Sequence, residues 1–409
     1  MPELLSPAGN REKLEAAIRY GADAVYLAGE CFGMRAFADN FTIEGLKEAV
    51  ALAHERGVKV YLTVNTMPRE AEYPLLRAYF EALKAVLPDA LIIADVGVLA
   101  LAKEILPEVE LHLSTQANAT SAAACRAWHQ MGVKRIVLAR ELTLEEINEI
   151  RKNTPDSLEL EAFIHGSMCV SYSGRCLLSG FFTGRDANRG ACAQPCRWSY
   201  HVKSVTVTEE KRPDLPITVE ECEGESFVFS SKDTCMIRHI PELMESGIDS
   251  FKIEGRMKSA YYTAVVTNTY RMAMDAYRAG NYCFDERWQR ELESVSHREY
   301  ATGYYFTDSK EDANLTTVDG YIKEKAYLAT VVGYDPHSGE AEFVQKNKFF
   351  ANDALELLTP GKTGIPFVAG ALFDAAHSPI ESTPHPYMHF YMKMPFPVKI
   401  GDIIRSAGE

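Results

Sequence analysis

The sequence predicts an α/β protein: a closed (β/α)8 barrel of the TIM type that carries a cysteine-rich insertion, followed by a small C-terminal antiparallel β-barrel. Three observations predict this fold class. Eight short apolar runs recur about 20–35 residues apart, which is the repeat of βα units. Segments with helical spacing and a final glycine separate the runs. After Tyr305 this alternation stops.

The eight apolar runs are the candidate barrel strands. They start at Glu3 (ELLS), Asp23 (DAVYLA), Val58 (VKVYLTVN), Ala90 (ALIIAD), Glu110 (ELHLSTQ), Lys134 (KRIVLA), Leu158 (LELEAFIHG) and Asp249 (DSFKIEG). Their number favours a closed eight-stranded barrel. A doubly wound open sheet is the main alternative, but no G-x-G-x-x-G motif follows the first run, which weakens a dinucleotide-binding interpretation.

Two regions depart from the βα alternation. An insertion over about residues 169–237 interrupts the last repeats, and within it we expect FVFSSKD at Phe227 to form a hairpin with SYHVKSVTV at Ser199. Near the C-terminus, YLATVVGYDPHSGEAEFVQ predicts two strands around a turn. We therefore predict a barrel over residues 1–300, a linker over 301–320 and the C-terminal β-barrel over 321–409.

The composition and net charge limit the functions and locations that the sequence allows. The 409 residues carry a net charge of −14, which argues against a broadly basic surface for non-specific binding of nucleic acid. Between Cys169 and Ser204, however, there are five basic residues and one acidic residue, a local charge of +4. The sequence contains no run of about 18 apolar residues, so we expect no membrane span. The N-terminus lacks the basic and apolar regions of a signal peptide. We therefore expect a cytoplasmic protein whose nine cysteines are reduced thiols or metal ligands.

Four cysteines lie within a short stretch of the insertion. They are Cys169, Cys176, Cys192 and Cys196. Thiolates of this kind bind iron–sulfur clusters or structural zinc, although zinc sites usually use paired C-x-x-C motifs and this chain has none. The irregular spacing among glycines and serines favours a cluster, while zinc and incidental thiols stay open as alternatives.

The segment EAFIHGSMCVSYSGRCLLS, from Glu161 to Ser179, resembles the signature of the peptidase U32 family. The stretches SPAGN, ADAVYLAG, MRAFADNF, SSKDTC and FKIEGRMKS are similar to that family too, and the resemblance covers nearly the whole chain. Better-understood members are iron–sulfur hydroxylases, so the resemblance implies a 4Fe–4S cluster. By motif position it implies Cys169, Cys176, Cys192 and Cys235 as ligands, with Cys196 and Cys31 as alternates.

The resemblance also implies a function. Chain length and the added barrel are most similar to members that hydroxylate position 5 of a wobble uridine in tRNA, with prephenate as co-substrate. The partners would be tRNA and, for some members, a related partner subunit. One alternative is a collagenase-like peptidase that uses a bound metal, or Cys169 as the nucleophile with His165 as its base. A second is an RNA-binding or assembly protein with structural zinc.

The remaining candidates lie where barrel strands end, because TIM-type barrels place their chemistry at the carboxyl ends of the strands. We predict His165, Arg256 and Lys258 as catalytic residues. Prephenate is a dicarboxylate and needs arginines that bind carboxylates in pairs of hydrogen bonds. We therefore predict Arg35 and Arg197 as co-substrate ligands, together with Gln116 after the fifth strand, and Arg256 is a further candidate for binding a carboxylate.

Overall fold

The computed structural model describes residues 1–34, 39–172, 175–198, 207–209, 212–217, 230–307, 322 and 324–408. In chain order the strands up to residue 301 are β1 (Glu3–Pro7), β2 (Ala24–Leu27), β3 (Lys59–Val64), β4 (Ala90–Ile93), β5 (Glu110–Leu113), β6 (Arg135–Val137), β7 (Glu159–Ser167), β8 (Val207–Glu209), β9 (Arg212–Ile217), β10 (Asp233–Cys235), β11 (Ser250–Ile253) and β12 (Tyr300–Ala301).

Eight of these strands close a parallel barrel. β1 to β7 pair in sequence, and β11 pairs with both β7 and β1. All eight apolar runs are therefore barrel strands, and the predicted fold class is confirmed. Most of their side chains are buried because both faces of a parallel barrel strand are covered, and the buried residues include charged ones such as Glu161 and Lys252.

Ten α-helices are described, most of them around the outside of the barrel, whereas the helix over residues 178–183 lies in the insertion. They are α1 (Arg11–Arg19), α2 (Ile43–His54), α3 (Tyr73–Leu83), α4 (Val96–Ile105), α5 (Ala122–Gln130), α6 (Leu144–Lys152), α7 (Leu178–Thr183), α8 (Ile240–Glu245), α9 (Ala260–Arg278) and α10 (Glu286–Glu293). Several begin at a side-chain cap, such as Asp95 before α4 and Ser259 before α9, which satisfies a backbone N–H at the helix start. None of the helices in the described ranges has the length and apolar character to cross a bilayer.

The expected hairpin lies mostly outside the described residues, which include only the last residue of the Ser199 run and residues 230–233 of the Phe227 run. The described ends do not pair with each other. Val207 begins β8, which pairs with β9, and Asp233 begins β10, which joins the barrel sheet antiparallel to the end of β7. β7 has nine residues and is longer than the other barrel strands. Its last residues therefore have a free backbone edge with which β10 can pair.

A bulge changes the direction of side chains on β7. Lys252 of β11 pairs with Phe163, yet the next residue, Ile253, pairs with His165. An extra residue on one strand of a pair bends that strand and redirects its side chains. Glu161 and Phe163 therefore face the barrel interior, whereas His165 packs against tyrosines outside it.

The C-terminal domain is an eight-stranded antiparallel sheet rolled into a half-barrel. Its strands are β13 (Tyr327–Asp335), β14 (Glu340–Gln345), β15 (Ala354–Leu358), β16 (Ile365–Val368), β17 (Leu372–Asp374), β18 (Pro379–Ile380), β19 (His389–Lys393) and β20 (Ile403–Ser406), in the spatial order β16-β15-β20-β13-β14-β19-β17-β18. The predicted hairpin is β13 and β14. Stacked Phe343 and Phe390, 5.0 Å apart, lie in its core.

Candidate functional site

The loop that carries the first cysteine is fixed at one backbone carbonyl, that of Met168, directly after β7. Three side chains donate hydrogen bonds to it: Ser231 Oγ at 2.8 Å, Arg197 Nη2 at 3.2 Å and Arg298 Nη2 at 3.3 Å. Because two of the donors are guanidinium groups, these bonds are stronger than neutral ones. The position of Cys169 relative to the barrel rim follows from this anchor.

Arg298 is itself held by a buried ion pair with Asp233 of β10. Arg298 Nη2 and Nε donate to the Asp233 carboxylate at 2.6 Å and 2.9 Å. Burial alone would raise the pKa of Asp233, but the charge of Arg298 outweighs it and the pKa lies below its ordinary value. The carboxylate is therefore ionised at neutral pH, and β10 supplies a charged support for the cysteine loop.

The other cysteines are brought to the same place by short turns. Ser179 of α7 is fully buried, and its hydroxyl accepts a hydrogen bond from Ala193 N at 2.9 Å. Gln194 adopts a left-handed backbone with φ of 57°, and its N–H donates to Cys192 Sγ at 3.4 Å. This turn directs the segment from Cys192 to Cys196 back toward the loop after β7.

Four thiols line a single cavity of about 100 Å³, which we call the cysteine cavity. They belong to Cys169, Cys176, Cys192 and Cys196. Burial raises the pKa of Cys196, Arg197 opposes this rise, and Cys169, Cys192 and Cys176 add to it. A set of four thiolates is the usual ligand set of an iron–sulfur cluster. Within the described ranges, no three His, Cys, Asp or Glu side chains are arranged to hold a single metal ion.

Cys235 and Cys31 do not line the cysteine cavity. Cys235 lies on β10 opposite His165, where burial raises the pKa of its thiol to about 12 and its side chain hydrogen-bonds to Tyr270. Cys31 follows β2 and packs against the barrel core, and burial raises its pKa as well. The geometry therefore groups Cys196, rather than either of these residues, with Cys169, Cys176 and Cys192.

A second cavity of about 80 Å³ occupies the barrel mouth, and we call it the mouth cavity. It is lined by polar side chains and by three cations, those of Arg140, Lys252 and Arg256, with Glu254 as the acidic member. The two cavities adjoin, because Met34, Thr115, Gln116 and Arg140 line both of them. A ligand in the barrel mouth would therefore lie beside the four thiols.

The cations of the mouth cavity are held in fixed positions. Arg256 Nη1 donates to Thr63 Oγ1 at 2.8 Å, and Lys252 Nζ donates to the buried Glu161 carboxylate at 2.7 Å. The Arg140 guanidinium lies 3.7 Å from the centre of the Phe163 ring and donates to Ser167 O at 2.7 Å. Such preorganised charges are suited to bind an anion in a partly dry site.

Some of the predicted site residues line one of the two cavities and others do not. Arg256 and Gln116 line the mouth cavity, and Gln116 and Arg197 line the cysteine cavity. Arg35 lies outside the described residues. Lys258 donates to Ser296 O at 2.8 Å and lines neither of the two cavities.

His165 also lines neither cavity. It is buried between Tyr262 and Tyr270 of α9 and Tyr300 of β12. This burial lowers the pKa of the imidazole to about 3. The ring is therefore neutral at physiological pH, and the structure gives it no contact with Cys169.

Sequence reasoning missed Arg140 and Lys252. Arg140 directly follows the apolar run of β6. It therefore lies at the carboxyl end of a barrel strand, where active sites of such barrels are found, and that argument would have identified it. Lys252 lies inside the FKI stretch of β11, where a lysine within an apolar strand is itself a signal, because a buried lysine needs a partner such as Glu161.

Comparison with known proteins identifies the family. Residues 9–315 match the model of peptidase family U32, and residues 323–405 match that of the peptidase family U32 C-terminal domain. The chain is 36% identical over 415 residues to the tRNA hydroxylation protein P1 of Bacillus subtilis, covering 99% of this chain and 95% of the relative.

Two further relatives have different names. The tRNA hydroxylation protein P of Escherichia coli is 37% identical over 396 residues, covering 88% of this chain and 86% of the relative. A protein of Porphyromonas gingivalis named collagenase is 34% identical over 378 residues, covering 89% of this chain and 87% of the relative. The matches extend through both domains and agree with the signature after β7: the chain belongs to peptidase family U32.

Proposed function

We propose that this protein is an iron–sulfur-dependent tRNA-modifying enzyme that hydroxylates position 5 of a wobble uridine and requires prephenate. The observation that carries this proposal is the contact between two cavities, one lined by four thiols and the other by three cations. The relatives named tRNA hydroxylation proteins support the choice of RNA and of reaction class.

In this proposal Cys169, Cys176, Cys192 and Cys196 hold a 4Fe–4S cluster. Replacing the C5–H of uracil by C5–OH is a two-electron oxidation of the base, so it needs an oxygen-atom donor and a two-electron acceptor as co-reactants, and a bound cluster would relay electrons between the base and that acceptor. The chain's own contribution is position: the Met168 anchor and the Ser179 turn hold the thiols at the wall of the cysteine cavity.

The mouth cavity would bind prephenate. Its two carboxylates need fixed cations, and Arg256, Arg140 and Lys252 provide them at the barrel mouth. Lys252 is paired with the buried Glu161, and the planar guanidinium groups of the two arginines are suited to bind carboxylates through paired hydrogen bonds. Gln116, which lines both cavities, would then contact the groups that meet at their junction.

The peptidase alternative receives less support from the site. A cysteine nucleophile needs a base within hydrogen-bond reach, and His165, the base proposed from the sequence, is enclosed by tyrosines with a pKa near 3. The zinc alternative would use the same four thiols around one ion, with Zn–S distances of about 2.3 Å, so the metal content of the purified protein distinguishes it from the cluster.

The ligand set is tested by single Cys→Ser variants purified without oxygen. We expect wild-type protein to contain about four irons per chain with a broad absorbance band near 400 nm. Replacing Cys169, Cys176, Cys192 or Cys196 should remove most of the iron, because each supplies one thiolate. Cys235→Ser and Cys125→Ser are matched controls at buried thiols and should keep it. Full iron in Cys196→Ser together with loss in Cys235→Ser would reject this ligand set.

The role of Arg256 in the mouth cavity is tested by Arg256→Lys. The measurement is the amount of hydroxyuridine in tRNA from a strain that lacks the chromosomal gene and expresses the variant. Loss of paired charge-assisted hydrogen bonds costs about 1.5–3 kcal/mol, so we expect at least tenfold less hydroxyuridine with iron content unchanged. Arg238→Lys, at an exposed arginine that pairs with Glu286, should behave as wild type. Normal hydroxyuridine in the strain without the gene would defeat the assignment of substrate.

The support of the cysteine loop is tested by Arg298→Met. This change leaves Asp233 as an unpaired buried charge and removes one donor to Met168 O, so a chelator should extract iron several-fold faster than from wild type. Phe390→Leu, in the core of the C-terminal sheet, controls for general loss of stability and should keep the wild-type extraction rate. Equal rates in the Arg298 variant and in wild type would show that the anchor has no role in holding the metal.

A further inference from the structure

An exposed group of aromatic side chains lies on the segments of the insertion that line the cysteine cavity. It consists of Tyr172, Phe181, Phe182 and Trp198, which we call the aromatic rim. Phe181 is 83% exposed and its neighbour Leu177 is 81% exposed. Large apolar side chains that cluster at the surface usually mark a binding surface, and none of the roles assigned above accounts for these.

The rings of the rim are close enough to form one surface. The ring centres of Phe181 and Phe182 are 5.2 Å apart, and those of Phe182 and Trp198 are 6.3 Å apart. Trp198 is fixed by a hydrogen bond from its indole N–H to Ala193 O at 3.3 Å. Tyr172 lines the cysteine cavity itself, and Phe181 and Phe182 lie on α7, whose Leu178 lines it too, so the aromatic rim lies beside the cavity of the thiols.

The charge around the rim has the opposite sign from that of the protein. Residues 169–198 contain four arginines and one aspartate, a net charge of +3, within a chain of net charge −14. Arg185 is exposed and donates to Ala191 O at 3.1 Å, while Arg189 pairs with Glu72 of the barrel. Guanidinium groups among aromatic rings favour a ligand that combines flat π faces with negative charge.

We propose that the aromatic rim binds unstacked bases of a single-stranded RNA loop and so presents one base to the cysteine cavity. Single-stranded RNA is recognised by stacking of its bases on aromatic side chains, with arginines near the phosphates. An enzyme that modifies a base must reach it outside the stack, and stacking of the neighbouring bases on the rim provides that geometry. This inference rests on the proposed function, since it assigns the surface that receives the tRNA.

The test is the affinity of the iron-loaded full-length protein for an unmodified anticodon stem–loop RNA, measured by fluorescence anisotropy at fixed salt. Phe181→Ala and Trp198→Ala should each weaken binding about tenfold, since each ring stacks on a base. Trp198→Phe should restore most of the affinity because it keeps an aromatic face. Phe350→Ala removes an exposed phenylalanine of the C-terminal domain, 49% exposed, and should bind as wild type.

The outcomes separate this inference from the proposed function. Wild-type affinity in Phe181→Ala and Trp198→Ala, with iron retained, would overturn the rim as an RNA surface even if tRNA hydroxylation is confirmed. Binding to phosphatidylglycerol vesicles or self-association that is lost in these variants, without an effect on RNA, would overturn it as well. Weakened RNA binding in the variants, in a protein whose absence leaves hydroxyuridine unchanged, would support the rim and reject the proposed reaction.

Discussion

The arrangement of the site depends on one buried carbonyl, that of Met168, which receives hydrogen bonds from Arg197, Ser231 and Arg298. The loops that carry the cysteines have little regular secondary structure, so their own backbone cannot fix them. The Arg298–Asp233 pair transfers the rigidity of the barrel sheet to this carbonyl through β10. Hydrogen bonds to charged groups contribute about 1.5–3 kcal/mol each, enough to hold a loop in one position.

Because this anchor holds the cysteine loop at the barrel rim, the cavity lined by thiols lies next to the cavity lined by cations. The mouth cavity is built on strand ends, where side chains such as Arg256 and Lys252 have fixed positions. The cysteine cavity is built on an insertion, where turns rather than strands place the thiols. Because Gln116 and Arg140 line both cavities, a polar co-substrate and a thiolate-bound metal centre can share a boundary while each keeps its own surroundings.

The sequence predicted the barrel well, since buried parallel strands appear as apolar runs. Of the four predicted metal ligands, Cys169, Cys176 and Cys192 line one cavity, but the fourth thiol there is Cys196, which was predicted only as an alternate. The sequence did not predict the directions of side chains at the rim. The bulge on β7 turns His165 outward toward α9, and the antiparallel pairing of β10 buries Cys235 beside Tyr270. Both depend on pairings between residues distant in the chain, which a single sequence does not show.

The central claim, that four sulfurs of the insertion bind one cluster, is tested most directly by anomalous diffraction at the iron absorption edge from crystals of protein prepared without oxygen. The account predicts one compact group of iron peaks within the cysteine cavity, bonded to Cys169, Cys176, Cys192 and Cys196. Iron bonded to Cys235 or Cys31 instead, or an ordered set of four thiols without iron in a protein that still hydroxylates tRNA, would contradict it.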